Sequence, residues 1–188
     1  MARNAKGDDV VPPAPPLAVV QGSYRHVDAV FDAVRAATSE MHRLGIAQWD
    51  DEYPSREVLS AAVENGSLFL CMQGGKVVVG AGLDAVQPPE YASCNWRHGV
   101  SALVVHHLVV HPDYWRMGYA GRFMEFAERY ASSLKHDAMR LDAYSANAAA
   151  LSLYRSRGYR EAGEVVFPRR TRPFICFEKK LVHSEREG

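Results

Sequence analysis

Three groups of residues in this chain have types and spacings that can do chemistry. The first is His111-Pro112-Asp113-Tyr114-Trp115-Arg116-Met117-Gly118-Tyr119-Ala120-Gly121-Arg122, a glycine-bearing turn between two apolar patterns. Leu103 to Val110 before it is dense in β-branched residues that suit a buried strand. After it, Phe123, Phe126, Ala127, Tyr130 and Leu134 recur at helical spacing, with Arg122, Glu125, Glu128, Arg129 and Lys135 on the other side. A chain that passes from strand to helix leaves the first-turn N–H groups without intrahelical acceptors, and the aligned peptide dipoles make that end positive. Gly118 and Ala120 put no bulk in front of those groups, so the turn suits a large anion such as a pyrophosphate.

The second group lies in Asn147-Ala148-Ala149-Ala150-Leu151-Ser152-Leu153-Tyr154-Arg155-Ser156-Arg157-Gly158-Tyr159. On a helix Asn147 and Tyr154 share a face about 10 Å apart, at about 1.5 Å per residue, so one ligand can touch both. Gly158 fits a helix C-cap, and Leu141 to Tyr144 reads as the strand that feeds this helix. The third group is His106, His107 and His111. Period-two alternation sets His106 and His107 on opposite faces of a strand, which argues against a shared metal site and puts His106 on one face with Val104, Leu108 and Val110.

The turn Trp115-Arg116-Met117-Gly118-Tyr119-Ala120 resembles motif A of the GNAT superfamily of acetyl-CoA-dependent N-acetyltransferases, Q/R-x-x-G-x-G/A. Gly118 and Ala120 match, and Trp115 stands where the family has Gln or Arg. The segment from Asn147 to Tyr159 is similar to the family's N-x-x-A-x-x-L-Y-x-x-x-G-[FY]. Covering about Leu17 to Leu181, the resemblance implies a mixed α/β fold, its central sheet predominantly antiparallel and flanked by helices. It implies acetyl-CoA as acetyl donor, with direct transfer to an amine and no covalent nucleophile. The implied cofactor contacts are Leu108, Val109 and Val110, whose main chain would pair with the pantetheine arm, and Trp115, Arg116, Met117, Gly118, Tyr119, Ala120, Gly121 and Arg122 around the pyrophosphate. Asn147, Ala150 and Tyr154 complete them. In the family this tyrosine protonates the departing thiolate, a role that a phenol held beside the sulfur can fill; a tyrosine at this spacing also reads as core. Capping of the helix by Asn147 is compatible with ligand contact.

Amide formation needs a deprotonated amine, and His106 is the candidate base or water-polarising group; a hydrogen-bonded structural histidine is the other reading. A main-chain N–H around Leu108 to Val110 would stabilise charge on the thioester carbonyl. The acceptor-facing wall in this fold falls on Trp49-Asp50-Asp51-Glu52-Tyr53 and Cys94-Asn95-Trp96. Trp49, Tyr53 and Trp96 beside carboxylates suit a cationic amine, or else they are packing anchors beside a solvated acidic loop. A small-molecule amine is preferred to a peptide because no charged groove is evident. The alternative to an enzyme is an inactive acyl-CoA-binding regulatory module, against which Gly118, Asn147 and Tyr154 weigh.

Gly80-Ala81-Gly82-Leu83-Asp84-Ala85 matches the dinucleotide pattern G-x-G-x-x-A, but that fingerprint must open a helix and Val86-Gln87-Pro88-Pro89 cannot continue one. The glycines read instead as easing a twisted strand in a hairpin of Ser67–Met72 and Lys76–Leu83. At 188 residues and 47% hydrophobic the chain suits one domain, residues 17–182, between a disordered Pro-rich tail at 1–16 and a frayed end at 183–188. Lys plus Arg balance Asp plus Glu at 22 each, so no global field argues for nucleic acid or an anionic membrane. Cys71, Cys94 and Cys176 form no C-x-x-C pair, so neither a disulfide framework nor a metal site is expected. With no signal-length apolar stretch near Met1, the expectation is a cytoplasmic protein, with homodimerisation open.

Overall fold

The computed structural model describes residues 17–168 and 170–182; the two tails read from sequence lie outside them. The described elements are β1 (Val20–Gln21), α1 (Val27–Arg43), α2 (Arg56–Glu64), β2 (Leu68–Gln73), β3 (Lys76–Asp84), β4 (Ala102–Val110), α3 (Tyr119–Ser133), β5 (Ala138–Tyr144), α4 (Ala148–Ser156), β6 (Arg160–Val165) and β7 (Phe174–Lys180). They build one seven-stranded sheet in the order β1-β2-β3-β4-β5-β7-β6. Neighbours are antiparallel except β4 and β5, whose parallel pairing requires the crossover supplied by α3. The expected mixed, mostly antiparallel α/β sheet is therefore the one observed.

Local signals explain most boundaries. Ser55 caps α2 by accepting from the Val58 N–H at 3.4 Å, and Asn147 caps α4 by accepting from the Ala150 N–H at 3.1 Å. Gly158 takes the left-handed conformation (φ 80°) that closes α4. Alternation along each strand then divides the core between two faces. Leu68, Leu70 and Val77 meet α1 and α2 with Val30, Val34 and Leu59, while Phe69, Val79, Leu103 and Leu141 meet α3 and α4 with Phe123, Ala127 and Leu151. In α3 the buried stripe is Phe123, Met124, Ala127 and Ala131. Leu134, expected on that stripe, caps the helix end and is half exposed.

The alternation in β4 breaks. His106 pairs with Gly82 but Val109 pairs with Gly80, so β4 carries an extra residue, and His107 sits there at φ 53°. Before this bulge Leu103 and Val105 face α3; after it Leu108 and Val110 do, while Val109 faces α1. His106 therefore stays with Val104 and not with Leu108 and Val110. His107 is swung to the same side, with its ring 5.9 Å from that of His106. The expectation that neighbouring histidines must point apart fails because it assumed an unbroken strand.

Beneath the Pro89–Ser93 turn a buried ion pair pins the long loop to the sheet. Arg140 Nε donates to Glu178 Oε1 at 3.1 Å, and both side chains are nearly inaccessible. The remaining capacity is used locally: Arg140 reaches Gln87 and the carbonyls of His98 and Gly99, and Glu178 Oε2 accepts from the N–H groups of Arg97 and His98.

Candidate active site

Pairing between β4 and β5 runs only from Ala102↔Ala138 to Val104↔Arg140. Beyond it β4 stays on β3 as far as Val110 while β5 follows β7 as far as Tyr144, so the strands part. A parting of two central strands leaves main-chain groups of β4 with no strand partner on one edge, aligned for an extended ligand. The gap opens on both faces of the sheet, and the chemistry-bearing residues divide between them.

On the α3 side lies the turn from Trp115 to Gly118 that opens α3. Trp115 donates its N–H to the Pro112 carbonyl and Arg122 donates to Gly118. Between them no N–H group from Arg116 to Gly121 makes a well-aligned hydrogen bond to a described acceptor, and Trp115–Gly118 is held only by the weak bonds of a turn. Arg116 (φ 62°) and Gly118 (φ 79°) both adopt the left-handed conformation, which curls such N–H groups toward a common centre. A Cβ built on Gly118 would meet nothing within 4 Å, so the space before the turn is open, and Arg116, Met117 and Gly118 are exposed. Trp115 turns away: its indole donates to the Val110 carbonyl at 2.7 Å and packs toward the α1 cluster. It anchors the turn to the end of β4.

Tyr154 is buried on the same side, its ring 5.9 Å from Tyr159 and 5.7 Å from Phe177. Burial pushes the phenol well above its ordinary pKa, and the Asp142 carboxylate adds to the shift, so the proton is retained. Asn147, besides capping α4, donates Nδ2 to Gln48 Oε1 at 2.9 Å, tying that helix to the α1–α2 loop. Ala150 packs beside it against the α3–α4 core.

On the other face His106 Nε2 lies 3.1 Å from Asp84 Oδ1, a bond that fixes the ring and leaves Nδ1 as the free nitrogen. Burial opposes ionisation of Asp84, yet its bond to His106 holds the carboxyl below its ordinary value. Asp142 stands across the gap, two residues beyond the Val104↔Arg140 pair as His106 is. Burial raises its pKa to about 6, against the Tyr91 hydroxyl that donates to it at 2.8 Å. His107 is kept neutral by burial, at about 3, and its ring meets the Tyr53 hydroxyl at 3.2 Å. Burial and the Asp142 carboxylate push Tyr53 up to about 12.

Of the three aromatic residues expected at the acceptor wall, only Tyr53 reaches this cluster. Trp49 is 5% exposed and belongs to the α1–α2 core. Trp96 donates its indole N–H to Tyr91 and lies under the Arg140 guanidinium at 4.5 Å, one layer behind Asp142. The acidic run is consumed as well, with Asp50 on Arg170 and Asp51 on Arg35. Asp84, Asp142 and His107 are the members that sequence reasoning missed. Only Asp142 left a signal, as an acid set between the apolar Leu141 and Ala143.

Residues 31–159 match the family described as acetyltransferase (GNAT) family. No curated protein sequence gives a match. Among solved structures, a GNAT-family acetyltransferase from Streptococcus agalactiae superimposes with a TM-score of 0.75 at 18% identity, over 87% of this chain and 95% of that one. The ribosomal-protein-S18-alanine N-acetyltransferase of Escherichia coli gives 0.66 at 16% over 91% and 97%. YncA of Salmonella typhimurium, crystallised with acetyl-CoA, gives 0.64 at 17% over 91% and 98%. These likenesses are of fold, whereas the family match spans both sequence motifs, the parted strands and the turn that opens α3: the chain belongs to the GNAT acetyltransferase family.

Proposed function

We propose that this protein transfers the acetyl group of acetyl-CoA directly to the amine of a small molecule. The observation that carries the reading is the row of N–H groups from Arg116 to Gly121 with no well-formed acceptor, exposed at Arg116, Met117 and Gly118, at the end of the parted strands. These groups and Arg122 hold the pyrophosphate, the edge of β4 at Leu108 to Val110 that β5 leaves uncovered, its Val110 carbonyl apart, holds the pantetheine arm, and Asn147, Ala150 and Tyr154 flank it. The Salmonella relative with acetyl-CoA supports this donor. The donor supplies an activated thioester carbonyl. A main-chain N–H of β4 stabilises the charge that develops on the carbonyl oxygen, and Tyr154 gives its proton to the leaving sulfur. Across the gap His106, held by Asp84, takes the proton from the amine, while the Asp142 carboxylate attracts the ammonium that precedes it.

Gly118→Glu tests the donor site. It places a carboxylate against the phosphates and forces a side chain onto a left-handed position, so acetyl-CoA binding should weaken well over tenfold, more than about 1.4 kcal/mol. Calorimetry that finds unchanged affinity in the folded variant removes the pyrophosphate from this turn.

The acceptor side makes a separate prediction about pH. Asp142 works as a carboxylate, and with its pKa at about 6 it gains a proton as the pH falls through that value. Thus kcat/KM for the amine should fall as Asp142 protonates below about pH 6, beyond the loss from protonation of the base, and Asp142→Asn should make the acid limb shallower while slowing the reaction at pH 8. If His106 is the base, His106→Gln loses about 10²- to 10⁴-fold in kcat. A profile whose acid limb is unchanged in Asp142→Asn assigns the limb elsewhere.

A further inference from the structure

The paired glycines of β3 have a consequence for acceptor choice. Gly80 and Gly82 face α2 without side chains, and of α2 only Leu59 is fully buried, so helix and sheet do not close on one another. The result is a groove of about 210 Å3. Val58, Leu59 and Ala62 of α2 and Val30 of α1 wall its apolar part, while Asn65, Ser67, Asp84, His106 and His107 supply its polar groups, Ser67 and His106 both bonded to Asp84. The polar part therefore meets the bulge of β4, beside the candidate base. Asp84 is the sole carboxylate lining it, and no cation does so.

We propose that this groove selects the acceptor, and that the acceptor is a primary monoamine carrying one slender apolar group, its ammonium beside Asp84 and His106 and its tail between α2 and the glycine floor. The inference rests on the acetyltransferase reading above and adds to it the substrate class. Polyamines and amino sugars fit poorly, because a second charge or a ring of hydroxyls would lose its water against Val58, Leu59 and Ala62.

The test compares n-alkylamines from propyl to decyl, 1,7-diaminoheptane, glucosamine and an alanyl peptide as acceptors, reading thiol release from acetyl-CoA. Over the shorter amines kcat/KM should rise by as much as about fourfold per methylene, and once the tail outgrows the groove it should level off or fall. Heptylamine should exceed 1,7-diaminoheptane by about 100-fold or more. Ala62→Phe should move the optimum to shorter amines and Val58→Ala to longer ones, with acetyl-CoA affinity by calorimetry reporting that each variant is folded. Flat dependence on chain length, an optimum that neither variant moves, or preference for the diamine, the sugar or the peptide overturns the groove and leaves acetyl transfer standing. A protein that binds acetyl-CoA yet releases no thiol with any amine overturns the transfer reading, and the groove with it.

Discussion

Tyr154→Phe should yield a folded protein that binds acetyl-CoA within about threefold of the parent and turns over about 10²- to 10⁴-fold more slowly. The ring is what packs, edge-on to Tyr159 and tilted against Phe177, and phenylalanine preserves those contacts. What disappears is a proton that burial and Asp142 keep on the oxygen at every pH the enzyme meets. The measurement needs saturating amine and a thioester whose thiol leaves poorly, because a thiol of pKa near 8.5 departs unaided once attack limits the rate. Under those conditions a Tyr154→Phe enzyme with full kcat would return the residue to the core.

Arg140→Met should cost about 3–5 kcal/mol of stability, because it strands Glu178 in the interior with only two N–H partners. For a chain of this length that corresponds to a fall in Tm of about 6–20 °C. The double variant Arg140→Met/Glu178→Leu removes the stranded charge and should recover most of the loss. Thermal unfolding of the three proteins decides it. If the single variant is as stable as the parent, the pair does not hold the loop from Gln87 to Gly99 as its hydrogen bonds indicate.

The element order, the β2–β3 hairpin, the Ser55 and Asn147 caps and the glycine turn that opens α3 were legible because each depends on neighbours in sequence: an apolar period, a capping side chain, a glycine where the chain must turn. The acceptor side was not. Nothing local marks His107 as the residue that will bulge, since the extra residue exists only relative to the register of β3. Trp49, Tyr53 and Trp96 suggested a cation site beside carboxylates, yet Arg35 and Arg170, distant in sequence, claim Asp51 and Asp50, Arg140 covers Trp96, and Trp49 is packed into the core. Asp84 was passed over inside a glycine pattern judged by whether it opened a helix. Its bond to His106 comes from the pairing of β3 with β4, which periodicity does not reveal.

The central claim, that acetyl leaves CoA for an amine at the parted strands, is tested most directly by a single reaction followed in two ways. Enzyme, acetyl-CoA and a primary amine are mixed, the free thiol is measured, and the amine is weighed by mass spectrometry. The account predicts thiol release that requires the amine, matched one for one by acetylated amine, and lost together in Gly118→Glu and Tyr154→Phe. Tight binding of acetyl-CoA with no amine-dependent thiol and no acetylated product would contradict it.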